Sequence, residues 1–165
     1  MLSIGCGLGY VEKLISERWH GELIALEPVT SGVNRWILGN KKIIFKNGYF
    51  PEAMNGEIID FAYANAIDYV FDKDEFERFL RSVTSYPIRE FLLISASLDV
   101  NTLQSNIKYA IKNVFAKLGV KKLGQFWGYQ RTQAEYRNSI LQSGFDSFCE
   151  GFLDNGQYWI KGIKK

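Results

Sequence analysis

The sequence predicts an α/β fold: a doubly wound, mostly parallel sheet of seven strands that ends in an antiparallel hairpin. Three observations carry this. Short β-rich runs alternate with helical periodicity along the whole chain. A strand at the N-terminus runs into a glycine-rich loop and then a helix. Near the C-terminus, Asp154-Asn155-Gly156 separates two apolar runs, a strong hairpin signal.

The elements follow in order. Leu2 to Ile4 is a short strand, and Val11, Leu14, Ile15 and Trp19 then fall on one helical face. Leu23 to Leu26 is the second strand, and Val33, Trp36 and Ile37 mark a short helix. Ile43 to Phe45 and Ile58 to Ala64 are strands, Phe76, Phe79, Leu80 and Val83 form a helical stripe, and Phe91 to Ser95 is a buried strand. Ile107, Ile111, Val114, Phe115 and Leu118 give an amphipathic helix closed by Gly119, followed by an aromatic loop from Gln125 to Arg131. Thr132 and Glu135 form a capping-box pair that opens a helix to about Ser143. Phe145 to Leu153 and Gln157 to Ile163 are the closing strands.

At 165 residues, without repeat or linker, the chain reads as one domain spanning 1–165. The 20 basic and 18 acidic residues leave a net charge of +2, too little for a dedicated nucleic-acid binder. The clusters at Lys41, Lys42 and Lys46, at Lys117, Lys121 and Lys122, and at Lys161, Lys164 and Lys165 read as solvated surface. No apolar run reaches the ~18 residues of a membrane span, so no membrane partner is expected. Cys6 and Cys149 make neither a disulfide framework nor a zinc spacing, which fits a reducing, cytoplasmic setting and no metal. The 25 aromatic residues exceed what a small core needs, so some should line a pocket.

The most informative segment is Leu2-Ser3-Ile4-Gly5-Cys6-Gly7-Leu8-Gly9. Its glycines let the backbone turn sharply and approach a ligand, and the helix that follows offers free amide donors. The dinucleotide pattern would require glycine at position 10, where Tyr10 stands, and no Gly-Lys-Ser/Thr follows. Eighteen residues past Gly9, the second strand ends in Glu27-Pro28, where a carboxylate can accept two bonds from ribose hydroxyls. The glycine loop and the strand-end acid together point to a ligand that carries a nucleoside.

With these features the chain resembles the class I S-adenosylmethionine-dependent methyltransferases, whose sheet is Rossmann-like. Ile4 to Gly9 looks like their first motif, Leu26-Glu27-Pro28 like their second, and Ile59 to Asn65 like their fourth strand. The closing helix, Ser143-Gly144-Phe145 and the Asn155-Gly156 hairpin are similar to their terminal antiparallel pair. The resemblance implies S-adenosyl-L-methionine as cofactor, held by Gly5, Cys6, Gly7 and Gly9 at the methionine end. Glu27 and Pro28 would lie at the ribose, Gly48, Tyr49 and Phe50 beside the adenine, and Asn65 at the loop after the fourth strand. Cys6 reads as a small packing residue there, not as a nucleophile. The chain departs from the family in three ways. Ser3 stands where many relatives have an acid, the aspartate expected near Tyr49 is absent, and no helix precedes the first strand. The last departure predicts an apolar patch, covered in a homodimer or by the rest of a longer chain.

Methyl transfer requires the acceptor to be aligned with the methyl group, and a base only where a proton must leave. The acceptor should enter over the carboxyl ends of the strands. Asp68, Tyr69 and Arg131 are the candidate catalytic residues, Trp127 and Tyr129 the candidate substrate contacts, and Asn65, Ser97 and Asp99 lie in the same region. Residues 101–131 read as an insertion capping the acceptor site. His20, the only histidine, precedes the second strand and falls at the wrong end of the sheet. Asn65-Ala66-Ile67-Asp68 lacks the prolines of amino-methylating nucleic-acid enzymes, which leaves a small molecule, sugar or glycan as the expected acceptor. The competing readings are a degenerate domain with weak cofactor binding and an assembly role, and a dinucleotide or nucleotide-sugar enzyme.

Overall fold

The computed structural model describes residues 1–98, 107, 110–111, 114–115, 117–120 and 128–165. The strands are β1 (Leu2–Ile4), β2 (Leu23–Glu27), β3 (Ile43–Asn47), β4 (Ile59–Asn65), β5 (Ile88–Ile94), β6 (Ser147–Phe152) and β7 (Tyr158–Ile163). The helices that position the site are α1 (Tyr10–Arg18), α2 (Arg35–Gly39), α3 (Lys73–Ser85) and α4 (Gln133–Gln142). The seven strands form one sheet in the order β3-β2-β1-β4-β5-β7-β6. Strands β1 to β5 pair in parallel, while β7 runs antiparallel to both β5 and β6, as the Asn155-Gly156 turn predicts.

Strand β1 is central and flanked on both sides, so its residues serve two layers. Leu2 and Ile4 face a core shared with Phe76, Phe79, Leu80 and Val83 of α3 and Tyr136 and Ile140 of α4. The other face holds Leu23, Ala25, Val33, Ile37, Ile43 and Tyr63. The α3 stripe read from the sequence is thus buried throughout, and both halves of the Thr132–Glu135 capping box form at the start of α4.

Helix α1 differs from its sequence pattern. Leu14 and Trp19 are exposed, and the residues it buries are Glu12 and Ser16. The reason lies across the sheet. Glu12 Oε1 accepts hydrogen bonds from the Ser3 hydroxyl at 2.5 Å and the Tyr63 hydroxyl at 2.7 Å, and these donors meet part of the cost of burying a carboxylate. Ile58, placed in the fourth strand by its sequence pattern, lies just outside β4 and is exposed.

Candidate active site

The glycine loop leaves β1 at the carboxyl edge of the sheet and is tied to its neighbour at once. The amides of Gly5 and Cys6 both donate to the Leu26 carbonyl, at 2.9 and 3.0 Å. Gly9 is the N-cap of α1 with φ of +81°, and a Cβ there would stand 1.8 Å from the Ile37 side chain. Only glycine meets both demands. From the other side, Asn34 Nδ2 donates to the Leu8 carbonyl at 2.7 Å. Around Gly7, by contrast, no atom lies within 4 Å of where a Cβ would project, so the loop backbone is open there.

Glu27 ends β2 opposite this opening. Its Oε2 accepts from the Gly7 amide at 2.9 Å and its Oε1 from the Val29 amide at 3.0 Å. The carboxylate is therefore held in place by backbone donors, and each oxygen keeps a second lone pair. Asn47 Nδ2 pins the segment by donating to the carbonyls of Glu27 and Pro28 at 3.0 and 3.1 Å. The Gly48 amide also reaches the Glu27 carbonyl, at 3.3 Å.

These elements border a cleft of about 850 Å³, upper-range for a small-molecule site. Of the residues picked out from the sequence, Gly5, Cys6, Gly7, Glu27, Pro28, Gly48, Tyr49, Phe50, Asn65 and Tyr69 line it. Gly9 does not, serving instead as the cap of α1 beneath the loop. Ala66 follows Asn65 with φ of +55°, turning the chain sharply at the cleft floor. The Cys6 thiol is pushed up to about 12 by burial and by the charges of Glu12 and Glu27, so it stays protonated at neutral pH.

Asp68 and Arg131 lie elsewhere. Asp68 is fully buried and accepts hydrogen bonds from the Ser95 and Ser97 hydroxyls, the Ala96 amide and the Tyr136 hydroxyl. Arg131 is 5% exposed. Its guanidinium donates to the carbonyls of Asp68, Phe71 and Asp72 at 2.7–2.9 Å and stacks 4.2 Å above the Phe76 ring. Neither lines the cleft; both hold the turn that carries Tyr69. Tyr129 donates its amide to the Tyr69 carbonyl at 2.8 Å, while its side chain borders a separate pocket of about 280 Å³. Trp127 and Asp99 lie outside the described residues, as does most of 101–127. Ser97 is engaged with Asp68, and His20 is exposed on the loop before β2, at the amino end of the sheet.

The sequence reading did not assign to the site Val29, Ile67, Val70, Phe71, Glu75, Arg78 or Phe79, the last read as a core residue only, yet all of them line the cleft. The α3 members sit one turn apart on a face whose apolar pattern is dominated by core residues. Gly48 to Glu52, from the segment between β3 and β4, line the same cleft.

No family model matches the sequence, and no curated protein does. Solved structures match over nearly the whole chain. One is human N-acetylserotonin methyltransferase in complex with S-adenosylmethionine, at TM-score 0.71 and 18% identity, covering 99% of this chain and 47% of that one. Another is the magnesium protoporphyrin IX methyltransferase of Synechocystis with bound S-adenosylhomocysteine, at TM-score 0.68 and 14% identity, covering 99% and 73%. The cyclopropane synthase MmaA2 of Mycobacterium tuberculosis matches at TM-score 0.63 and 15% identity, covering 90% and 56%. The chain spans about half the length of most of these structures. At such identities the likeness is one of architecture: strand order, terminal hairpin and strand-end cleft give this chain the fold of the class I S-adenosylmethionine-dependent methyltransferases.

Proposed function

We propose that the chain binds S-adenosyl-L-methionine in the cleft and transfers its methyl group to a small molecule or a sugar or glycan acceptor. The observation that carries this is Glu27: a strand-end carboxylate clamped by the Gly7 and Val29 amides, beside an open loop backbone and within the cleft. Its remaining lone pairs suit the two hydroxyls of a ribose. The residues present fit such a ligand. The Gly5–Gly7 backbone would receive the amino-acid end, Glu27 and Pro28 the ribose, and Gly48, Tyr49 and Phe50 the base. The cofactor, when bound, supplies an electrophilic methyl on a sulfonium.

The chain's own contribution is placement. The Asp68–Arg131 network fixes the turn bearing Tyr69, Val70 and Phe71, the apolar wall against which an acceptor would be held and water excluded. Cys6, protonated at neutral pH, packs and does not attack. The acceptor class rests on the cleft's size, its aromatic lining and the weak net charge of the chain.

A thermal-shift panel of S-adenosylmethionine, S-adenosylhomocysteine and NAD, followed by calorimetry, tests the reading. Stabilisation by the first two and not by NAD supports it; stabilisation by none, or by NAD alone, rejects it.

A further inference from the structure

Four residues of α3 line the cleft, Glu75, Arg78, Phe79 and Ser82, and none of them belongs to the surface proposed for the cofactor. They fall at i, i+3, i+4 and i+7, one face of the helix, and span about 10 Å at 1.5 Å per residue. The apolar wall proposed for an acceptor continues onto this face. The Phe71 ring stacks on Phe79, with centroids 5.1 Å apart and planes 15° from parallel.

The polar groups on this face are not equally free. Glu75 is turned back on the helix start, where its carboxylate accepts the Asp72 amide at 2.9 Å. The Ser82 hydroxyl donates to the Arg78 carbonyl at 3.0 Å, so its one proton is already placed. Arg78 is different. Its side chain stands exposed at the cleft rim and is the one cation among the described residues that line the cleft. Asp74 and Glu75, four and three positions before it, are within helical reach, and Glu52 shares the cleft. None of these acids pairs with it, whereas Arg81, one turn on, pairs with Glu77 at 3.5 Å. A guanidinium with five N–H donors therefore faces the cleft without a described acceptor.

A guanidinium fork beside stacked rings suits a ligand with a flat apolar body and a carboxylate, which takes two parallel N–H···O bonds. The charge on the cleft limits that ligand to a single negative charge. Glu27, Glu52 and Glu75 stand against Arg78 alone, so a phosphate dianion or a polyanion meets more repulsion than attraction. We infer that the α3 face is the acceptor subsite and that the acceptor is an aromatic monocarboxylic acid, with its ring against Phe71 and Phe79 and its carboxylate on Arg78.

An amine is the competing occupant, since Glu52 and Glu75 could both attract it. Glu75 already accepts an amide, however, and an ammonium would leave every Arg78 donor unmet beside a second cation. A neutral aromatic ring would fill the wall and give Arg78 nothing to bind. The acceptor role rests on the methyl-transfer reading. The carboxylate subsite does not, and it is measurable on the chain without cofactor.

Ligand-observed NMR titrations test it, with and without S-adenosylhomocysteine, using 4-hydroxycinnamate, the neutral 4-hydroxycinnamyl alcohol, the cation tyramine and the dianion phenyl phosphate. The acid should bind at least about 10-fold more tightly than the alcohol, the low end for hydrogen bonds to a charged partner. Arg78→Gln should bring the two within about two-fold, and Arg78→Lys should keep part of the preference, because the charge stays and the fork is lost. Both variants should keep the parent's thermal midpoint and S-adenosylhomocysteine affinity, since the Arg78 side chain holds no described residue and lies off the proposed cofactor surface. Equal binding of acid and alcohol by the parent, or no binding of the acid, overturns the inference. So does a preference for the acid that Arg78→Gln leaves unchanged. Tighter binding of tyramine overturns it in favour of an amine acceptor, and tighter binding of phenyl phosphate in favour of a phosphate. Failure of the parent to bind S-adenosylhomocysteine rejects the cofactor reading instead, and the acid's dependence on Arg78 is read separately from it.

Discussion

Replacing Glu27 separates two things its carboxylate does. In the ligand-free protein it accepts two backbone N–H groups, from Gly7 at 2.9 Å and Val29 at 3.0 Å. Bonds to a charged acceptor contribute about 1.5–3 kcal/mol each when buried, and less here because the site is open to water. Glu27→Ala removes both, and the expected loss of stability is about 1–2 kcal/mol. The ligand loses more selectively: two ribose hydroxyls without their acceptor cost about 1–3 kcal/mol, a 5- to 150-fold rise in the dissociation constant. Glu27→Gln refines the experiment. Its amide keeps one oxygen, which can serve either the Gly7 or the Val29 amide, and its NH2 then faces the other donor. Gln should therefore fall between the parent and Ala in both stability and affinity. The assay is calorimetric titration with S-adenosylhomocysteine, alongside thermal midpoints of the ligand-free variants. Unchanged affinity in both variants, with the fold intact, would refute the ribose assignment. Lower midpoints with unchanged affinity would show that Glu27 serves the loop alone.

Three further outcomes follow from the geometry. Gly9→Ala forces a Cβ to 1.8 Å from Ile37 in a left-handed backbone, so a loss of about 2–4 kcal/mol is expected in urea unfolding. A variant as stable as the parent would show that the loop is not locked against α2. Asp68→Asn places an amide among four hydrogen-bond donors and should cost about 2–4 kcal/mol, yet leave S-adenosylhomocysteine affinity within about two-fold because Asp68 does not line the cleft. A large affinity loss in a folded variant would contradict that placement. Glu57 is held below the ordinary 4.5, at about 2, first by its bond with Lys46 and further by backbone amides and the Tyr86 hydroxyl. A depressed acid stabilises above its unfolded value and loses that contribution as pH falls through the folded one. Stability should therefore decline between about pH 4.5 and 2, and Glu57→Gln should flatten part of that decline in pH-dependent thermal scans. A slope unchanged by the substitution would remove Glu57 from the account.

Much of the fold was legible because its signals are local. Parallel strands buried on both faces read as continuous apolar runs, and β2 is such a run, buried at all but its last residue. The α3 stripe and the Thr132–Glu135 box each need only residues three or four apart. Helix α1 was misread in part: Val11 and Ile15 pack against the core as its pattern predicts, but the residues it buries outright are the polar Glu12 and Ser16. Glu12 is buried only because Tyr63, 51 positions later, brings a hydroxyl to it, and no local pattern records that donor. Ser3, in β1, donates its hydroxyl to the same Glu12 carboxylate.

The candidate site divides along the same line. Its cofactor side is built from backbone, glycine and one strand-end carboxylate, whose positions follow from strand and loop order alone. Its acceptor side depends on which way side chains point within a single turn. Asp68 and Tyr69 are adjacent, yet one is fully buried under Ser95, Ser97 and Tyr136 while the other is 40% exposed on the cleft wall. What decides between them is a set of donors from the segment after β5 and from α4, gathered only when the chain folds. The same donors bear on the chemistry. A base for the acceptor, where one is needed, must reach the cleft, and the described carboxylates lining it are Glu27, Glu52 and Glu75. Glu27 clamps the loop and Glu75 closes the capping box of α3 by accepting the Asp72 amide at 2.9 Å. Glu52, exposed on the segment after β3, is left as the acid whose charge is not already committed to backbone. On the proposed reading an acceptor that loses no proton needs none of the three, and alignment against Tyr69, Val70 and Phe71 is then what the described wall of the cleft contributes.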